Sequence, residues 1–394
     1  MRFYPKQHQT YCGIDLHART MYVCLVHQSG DIVLHRHMQT NPETFLKAIA
    51  PYRAGLVVAV ACLFTCYWLA DLCADEGIPF VLGHALSMQA IHGGKAKNDT
   101  SDSHKIAALL RGGTLPQAYV SPAPMRATRD LLRRRMPLAH KRAALFAHVQ
   151  NTHRPYHLPA LGKKIASKAN REGVAERFAD PAVPKSLEVA LALITSYDEL
   201  RRDLARTLVN TAQHHDANTW YLLHTVPGIG TILRLVLLYA IPDIHRFPSV
   251  QDFVSYCRLV QCATAAGGKR VGTSGATIGN AHRTWAFSEA AVLCLRDHPA
   301  AQKYFARLEK THDTGHALTL LAQKLARAVY DMLHRQGAFE REPFFQPSGR
   351  GADEPEASLD NEGWTLSEAL TQAACTASVN AQAPRGHETL SPAL

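Results

Sequence analysis

Leu56-Val57-Val58-Ala59-Val60-Ala61 is a run of six apolar residues with no polar residue at alternate positions. A strand with one wet face alternates, so a continuous run of this length has to be buried on both faces and needs a layer above and below its sheet. The flanking segments can supply both. Upstream, Thr10 to Leu16 and Tyr22 to Val26 read as strands, Gln28-Ser29-Gly30 as a hairpin turn and Asp31 to Leu34 as a third strand. Thr40 and Asn41 offer a cap, with Glu43 in the first turn, for a helix running to about Ala50. Downstream come a helix carrying Tyr67, Leu69 and Leu72, a short strand from Pro79 to Leu82, and a helix from about Asp99 to the Gly112-Gly113 pair. The pattern predicts an α/β domain over residues 8–120, closed by Ser121-Pro122-Ala123-Pro124.

Charge sets the next segment apart. Across 394 residues, 43 Lys and Arg face 33 Asp and Glu, a net charge of +10. From Met125 to Arg154 the cations Arg126, Arg129, Arg133, Arg134, Arg135, Lys141, Arg142 and Arg154 stand against Asp130 alone. On a helical spacing that continues through Pro137, they make either a phosphate-backbone footprint or a solvated helix face. A second amphipathic stretch from about Val174 to Ala212, and a connector with Lys163, Lys164, Lys168 and Arg171, complete a basic helical region at 121–215. No apolar run is long enough to span a membrane, so no membrane partner is expected. Nine cysteines and the lack of a signal peptide fit a reducing cytosol and a cytoplasmic protein. Cys62 and Cys66 have no second pair to complete a zinc site and read as packed thiols.

A third unit is expected over 218–340, mostly α-helical. His224-Thr225-Val226-Pro227-Gly228-Ile229-Gly230 leads into the apolar helix Thr231 to Tyr239, with a second helix near Val250 to Cys257. Gly228 and Gly230 before a helix suit either a phosphate contact of the helix-hairpin-helix kind or a packing turn. The segment from Gly267 to Gly275 contains Lys269 and Arg270, lacks the order of a Walker A loop, and reads as a flexible cationic loop. A helix with Trp285, Phe287 and Leu295 follows, then helical residues 300–336. Residues 344–394, rich in small and polar types, are expected to be a disordered tail.

Three carboxylates are candidates for chemistry. Asp15 stands at the end of the first strand, and Asp99 and Asp102, three apart, share one helix face. Brought together they would make an oxygen-rich pocket for Mg²⁺ or Mn²⁺, suited to phosphodiester cleavage. Alternatively Asp99 caps its helix and Asp15 accepts a turn hydrogen bond. His17, His104 and Lys105 are neighbouring candidates for phosphate contact.

Tyr-Cys-Gly-Ile-Asp-Leu-His at 11–17, Lys-Ala-Lys-Asn-Asp-Thr-Ser-Asp-Ser-His-Lys-Ile at 95–106 and His-Thr-Val-Pro-Gly-Ile-Gly at 224–230, with Lys-Arg-Val-Gly-Thr-Ser-Gly and Ile-Gly-Asn-Ala-His beyond, resemble the insertion sequence 110 family of transposases. The resemblance spans about residues 10–340. It implies a RuvC-like, ribonuclease-H-type N-terminal domain, a helical middle and a C-terminal transposase domain. It also implies DNA cleavage and strand exchange, a structured element-encoded RNA, and homodimers that assemble into tetramers. The family's catalytic set is Asp, Glu, Asp, Asp, and its positions match Asp15, Asp99 and Asp102; where the glutamate belongs this chain has Ala61. The family's nucleophilic serine aligns with Ala266, and Ser274, eight residues on, is the nearby serine that could replace it. Three functions follow: an RNA-guided transposase, a catalytically impaired nucleic-acid-binding remnant of one, and a metal-dependent structure-specific nuclease.

Overall fold

A computed structural model describes residues 2–61, 65–91, 99–160, 163–260, 262–266, 269–274, 281–340 and 344–345. The expected tail beyond Phe345 and the Gly93 to Lys97 turn lie outside the described residues. The chain divides into two compact units, one up to Ala123 and one from Pro124 onward.

In the first unit the strands are β1 (Thr10–Leu16), β2 (Thr20–His27), β3 (Ile32–Gln39), β4 (Leu56–Ala61) and β5 (Phe80–Gly83). They form one sheet in the order β3-β2-β1-β4-β5. The β1–β2 and β2–β3 pairs are antiparallel, and β1–β4 and β4–β5 are parallel. Helices α1 (Pro42–Ile49), α2 (Tyr67–Asp75), α3 (Ala85–Ile91) and α4 (Asp99–Arg111) accompany it. Asn41 caps α1 by accepting a hydrogen bond from the Thr44 amide, with Pro42 preset for the first turn. The seven-residue α3 has no counterpart in the sequence reading; His84 and Ser87 bond at 2.8 Å across its start.

Strand alternation sorts side chains between two layers. Cys12, Ile14, Leu16, Val58, Val60 and Leu82 pack with Phe45 and Ile49 of α1 and Leu69 and Cys73 of α2. On the other face Tyr11, Val57, Ala59 and Val81 meet Ile106, Leu109 and Leu110 of α4. Each such large aliphatic side chain contributes about 1.5–3 kcal/mol on leaving water. Gly13, on the α4 face, lies against helix backbone: a β-carbon there would sit 2.3 Å from the Ala107 nitrogen and 2.3 Å from the Ser103 carbonyl oxygen. The glycine therefore sets how closely α4, and its acidic first turn, approaches the sheet.

The second unit opens with two long antiparallel helices, α5 (Ala123–Asn151) and α6 (Ala182–His215). The expected start of α6 near Val174 is corrected: Ala175–Arg177 is a 3₁₀ turn and α6 begins after Pro181. A residue before proline avoids the α conformation, so Asp180 marks the break. At one end of the pair Leu132, Leu208 and Ala212 join a large core made by α7 (Ala217–Thr225), α8 (Thr231–Ala240), α9 (Val250–Tyr256), and the later helices α10 (Ala281–Asp297), α11 (Pro299–Leu308) and α12 (Thr314–Arg335). At the other end Val149, Ile165, Val174, Phe178, Val183, Leu187, Ala190 and Ile194 form a separate core.

The expected loop around Gly267 to Gly275 is corrected as well. β6 (Cys262–Ala266) and β7 (Lys269–Ser274) pair as an antiparallel ribbon, the pleated backbone being favoured by Thr264, Val271 and Thr273. Cys12, Cys24, Cys66, Cys73, Cys257 and Cys294 are all buried. Among the described residues no helix is long and apolar enough to cross a membrane.

Candidate functional site

Asp15 is the penultimate residue of β1 and lies on the α4 face with Tyr11 and Gly13. Asp99 opens α4 and Asp102 follows one turn later, both at the helix end whose dipole favours negative charge. His17 stands in the turn after β1, its backbone pinned twice: its amide donates to the Thr20 carbonyl at 3.0 Å and its carbonyl accepts from the Thr40 hydroxyl at 2.9 Å. That turn puts His17 Nε2 3.4 Å from Asp15 Oδ2 and 3.4 Å from Asp99 Oδ2. The three groups offer ligand atoms within 4.8 Å of one another, a set able to hold a metal ion.

Electrostatics tie Asp102 to the same place. Burial pushes the Asp15 carboxyl above its ordinary value; His17 opposes the rise, while the Asp99 and Asp102 charges add to it. Lys105 Nζ donates to Asp102 at 3.0 Å, and His104 is exposed on the same helix. His35 of β3, which the sequence reading passed over, steadies the first turns of α4: its Nε2 lies 3.1 Å from the Thr100 carbonyl oxygen and 3.2 Å from the Ser103 hydroxyl. No local spacing signals a pair 65 residues apart.

Ala61 falls beside this cluster. The parallel register pairs Ile14 with Val60, so the next step along both strands brings Asp15 and Ala61 level, about 4.8 Å apart by strand spacing and on the same face. A methyl group stands level with Asp15 and offers no ligand oxygen. Glu76 does not fill the gap; it ends α2 and pairs with Arg53.

The basic positions divide. On α5, Arg134 and Lys141 are exposed, Arg133 is exposed with Asp130 3.7 Å away, and Arg126 and Arg129 are half-buried. Arg142 turns inward, bonding Asp198 of α6 and lying over the Phe146 ring at 4.4 Å. Arg171 reaches the same Asp198 at 2.9 Å. Burial pushes the Asp198 carboxyl up, and bonds from Arg171 and Arg142 outweigh it and hold the group below its ordinary value.

In the α7–α8 turn Gly228 has φ +81°, and a β-carbon there would meet the Ala290 carbonyl oxygen at 2.1 Å and the Cys294 nitrogen at 2.8 Å. Close packing on α10 accounts for that glycine. Gly230 is exposed, has open space around it and starts α8 with no side-chain cap, which leaves the helix end available to an anion. Lys269 and Arg270 lie on β7. In the ribbon Ala266 pairs with Lys269 and Ser274 with Cys262, so Ala266 and Ser274 are at opposite ends, about 13 Å apart along the strands.

The acids cluster at one strand end of a mixed sheet, and the comparisons place the chain among transposases: residues 12–156 match the family model for the DEDD transposases of IS110, described as "Transposase". Residues 221–306 match the model "Transposase IS116/IS110/IS902 family", and the chain belongs to the IS110 family of transposases. It is 23% identical over 341 residues to the transposase for insertion sequence element IS1111A of Coxiella burnetii (strain RSA 493 / Nine Mile phase I), covering 83% of this chain and 90% of that protein. It is 28% identical over 149 residues to the insertion element IS110 uncharacterized 43.6 kDa protein of Streptomyces coelicolor, covering 37% and 36% of the two chains.

Proposed function

We propose that this transposase is a DNA recombinase that moves its own insertion sequence by metal-dependent cleavage and strand exchange. The observation that carries the reading is the meeting of Asp15 and Asp99 on either side of His17 at the end of the central strand. The donor set fits a hard divalent ion: Asp15, Asp99 and Asp102 would hold Mg²⁺ or Mn²⁺, which supplies Lewis-acid activation of a phosphodiester when bound. The chain's own residues orient the substrate. Arg134 and Lys141 on the exposed face of α5, the uncapped start of α8 at Gly230, and Lys269 and Arg270 on the ribbon are the phosphate contacts in this reading, with Arg126, Arg129 and Arg133 beside them. The strand order supports a RuvC-like assignment for the first unit. DNA is the substrate; a structured element-encoded RNA as guide, and a homodimer assembling to a tetramer, belong to the same proposal.

Ser274 is the proposed nucleophile, and the ribbon register sets it a full ribbon length from Ala266. A second reading is favoured by Ala61: without a carboxylate beside Asp15, the chain binds nucleic acid and cuts it poorly. The test is a cleavage and strand-transfer assay on element ends with the matching RNA and Mg²⁺ or Mn²⁺, comparing the parent with Asp15→Asn, Ser274→Ala, Ala61→Glu and Ala266→Ser. Metal-dependent product with a covalent protein–DNA adduct that needs Ser274 supports the full proposal. Product only after Ala61→Glu and Ala266→Ser supports the impaired remnant, and cutting of branched DNA without an adduct indicates a nuclease.

A further inference from the structure

We propose that His17 is itself a metal ligand in this chain: its Nε2 supplies a donor that Ala61 does not, and the resulting Asp-His-Asp set favours a first-row transition ion such as Mn²⁺ over Mg²⁺. The proposal deepens the metal-dependent reading above and rests on it for the presence of an ion, not for the choice of ligands.

Three donors converge here from three pieces of chain. Asp15 is placed by β1, His17 by the turn that follows and Asp99 by the first residue of α4. His17 Nε2 lies 3.4 Å from Asp15 Oδ2 and 3.4 Å from Asp99 Oδ2. Two metal bonds of about 2.1 Å meeting at a tetrahedral angle put their donor atoms about 3.4 Å apart, so the spacing is that of neighbouring ligands on one ion. Both separations exceed the roughly 2.7–2.9 Å of the charge-assisted hydrogen bonds that a bridging imidazolium would make. Among the described residues no other group of three His, Cys, Asp or Glu donors comes together in this way. Asp102 lies outside the group, with Lys105 Nζ 3.0 Å from its Oδ1.

The imidazole is also held in place before any ion arrives. Its backbone donates to the Thr20 carbonyl at 3.0 Å and accepts from the Thr40 hydroxyl at 2.9 Å, which leaves only side-chain torsions to settle on binding. The donor type then decides the ion. Mg²⁺ takes oxygen ligands in near-octahedral array and gives up its water reluctantly. An imidazole nitrogen in the set raises affinity along the first-row series, while two carboxylates keep the site hard. Mn²⁺ stands at the weak-binding start of that series, so a preference for it over Mg²⁺ is the demanding test of the shift.

The experiment uses the full chain and Mn²⁺ or Mg²⁺ alone, without nucleic acid. Pulsed electron paramagnetic resonance on the parent, with and without isotope-labelled histidine, detects histidine nitrogen bound directly to Mn²⁺. Calorimetric titration gives the affinities for the two ions. The parent is expected to show the histidine nitrogen and to bind Mn²⁺ more tightly than Mg²⁺. His17→Ala is expected to lose the nitrogen signal and about tenfold in Mn²⁺ affinity, with a smaller loss for Mg²⁺. His17→Glu, which exchanges nitrogen for oxygen, is expected to keep an ion, lose the signal and move the preference toward Mg²⁺. Mn²⁺ bound to the parent without histidine nitrogen, or a nitrogen signal that survives in His17→Ala, overturns the role of His17 and leaves the metal reading standing. Equal losses for both ions in His17→Ala overturn the selectivity. A parent that binds no Mn²⁺ overturns the metal reading and His17 together. The isotope comparison needs no variant, so a parent without the signal decides against His17 even where a substitution prevents folding.

Discussion

Gly13 of β1 lies directly against Ala107 of α4, so close that a β-carbon on the glycine would stand 2.3 Å from the alanine's backbone nitrogen. The contact is backbone to backbone, and no side-chain rotation relieves it.

Gly13→Ala therefore has to lift α4 off the sheet, and Asp99 and Asp102 travel with it. Overpacking of this kind costs about 1–3 kcal/mol. Urea unfolding should show that loss, and the divalent-ion response of the protein should weaken in parallel. A variant as stable as the parent would mean that α4 does not seat on Gly13.

Ala61→Glu places a carboxylate level with Asp15. Without divalent ions the extra negative charge is expected to destabilise the protein by about 1 kcal/mol. With Mn²⁺ the variant should recover and bind the ion about tenfold more tightly than the parent. Calorimetric titration with Mn²⁺ reads both, and equal affinities would show that position 61 does not face the ion.

Asp198 takes bonds from Arg142 and Arg171, and Arg201 lies 3.9 Å away. Its folded pKa is depressed, so the stability it contributes is present above the ordinary carboxylate value and is lost as pH falls through the depressed one. Asp198→Asn should cost about 3 kcal/mol at neutral pH, and the difference from the parent should shrink in acid as the parent's own carboxylate protonates. Unfolding measured across that range checks the sign; a gap that widens in acid contradicts it.

On α5, exposure separates two kinds of cation. Arg134→Ala and Lys141→Ala should each reduce the salt slope of DNA binding by about one and leave stability near the parent's. Arg142→Ala should do the reverse, lowering stability through Asp198 and moving the salt slope little. Filter binding across a salt series, with melting curves beside it, distinguishes them.

Local pattern carried much of the architecture because its physics is local. The unbroken β4 run reads as a doubly covered strand, and Thr40-Asn41 as a cap at a helix start. The ribbon at 262–274 was obscured by glycines, which weaken strand propensity whatever the pairing does. At the acid cluster, Asp15, Asp99 and Asp102 were visible as residue types, whereas the role of His17 depends on a turn locked by Thr20 and Thr40. Gly13 did carry a signal, since a glycine inside a strand often marks a close backbone approach, but nothing local named α4 as the neighbour. The Arg142–Asp198 pair spans 56 residues and could not be read from spacing.

Between Leu132 and Val149 on α5, and between Ile194 and Leu208 on α6, neither helix has a fully buried residue; Arg135, Arg142, Asp198 and Arg201 occupy the interval instead. Such a waist has little buried apolar surface to make the two ends melt together, so the two cores are expected to behave as separate cooperative blocks. The tip around Val149 and Ile194 can open and reclose on its own while the main core holds, and amide exchange along α6 would slow toward both ends and run fastest across the polar interval.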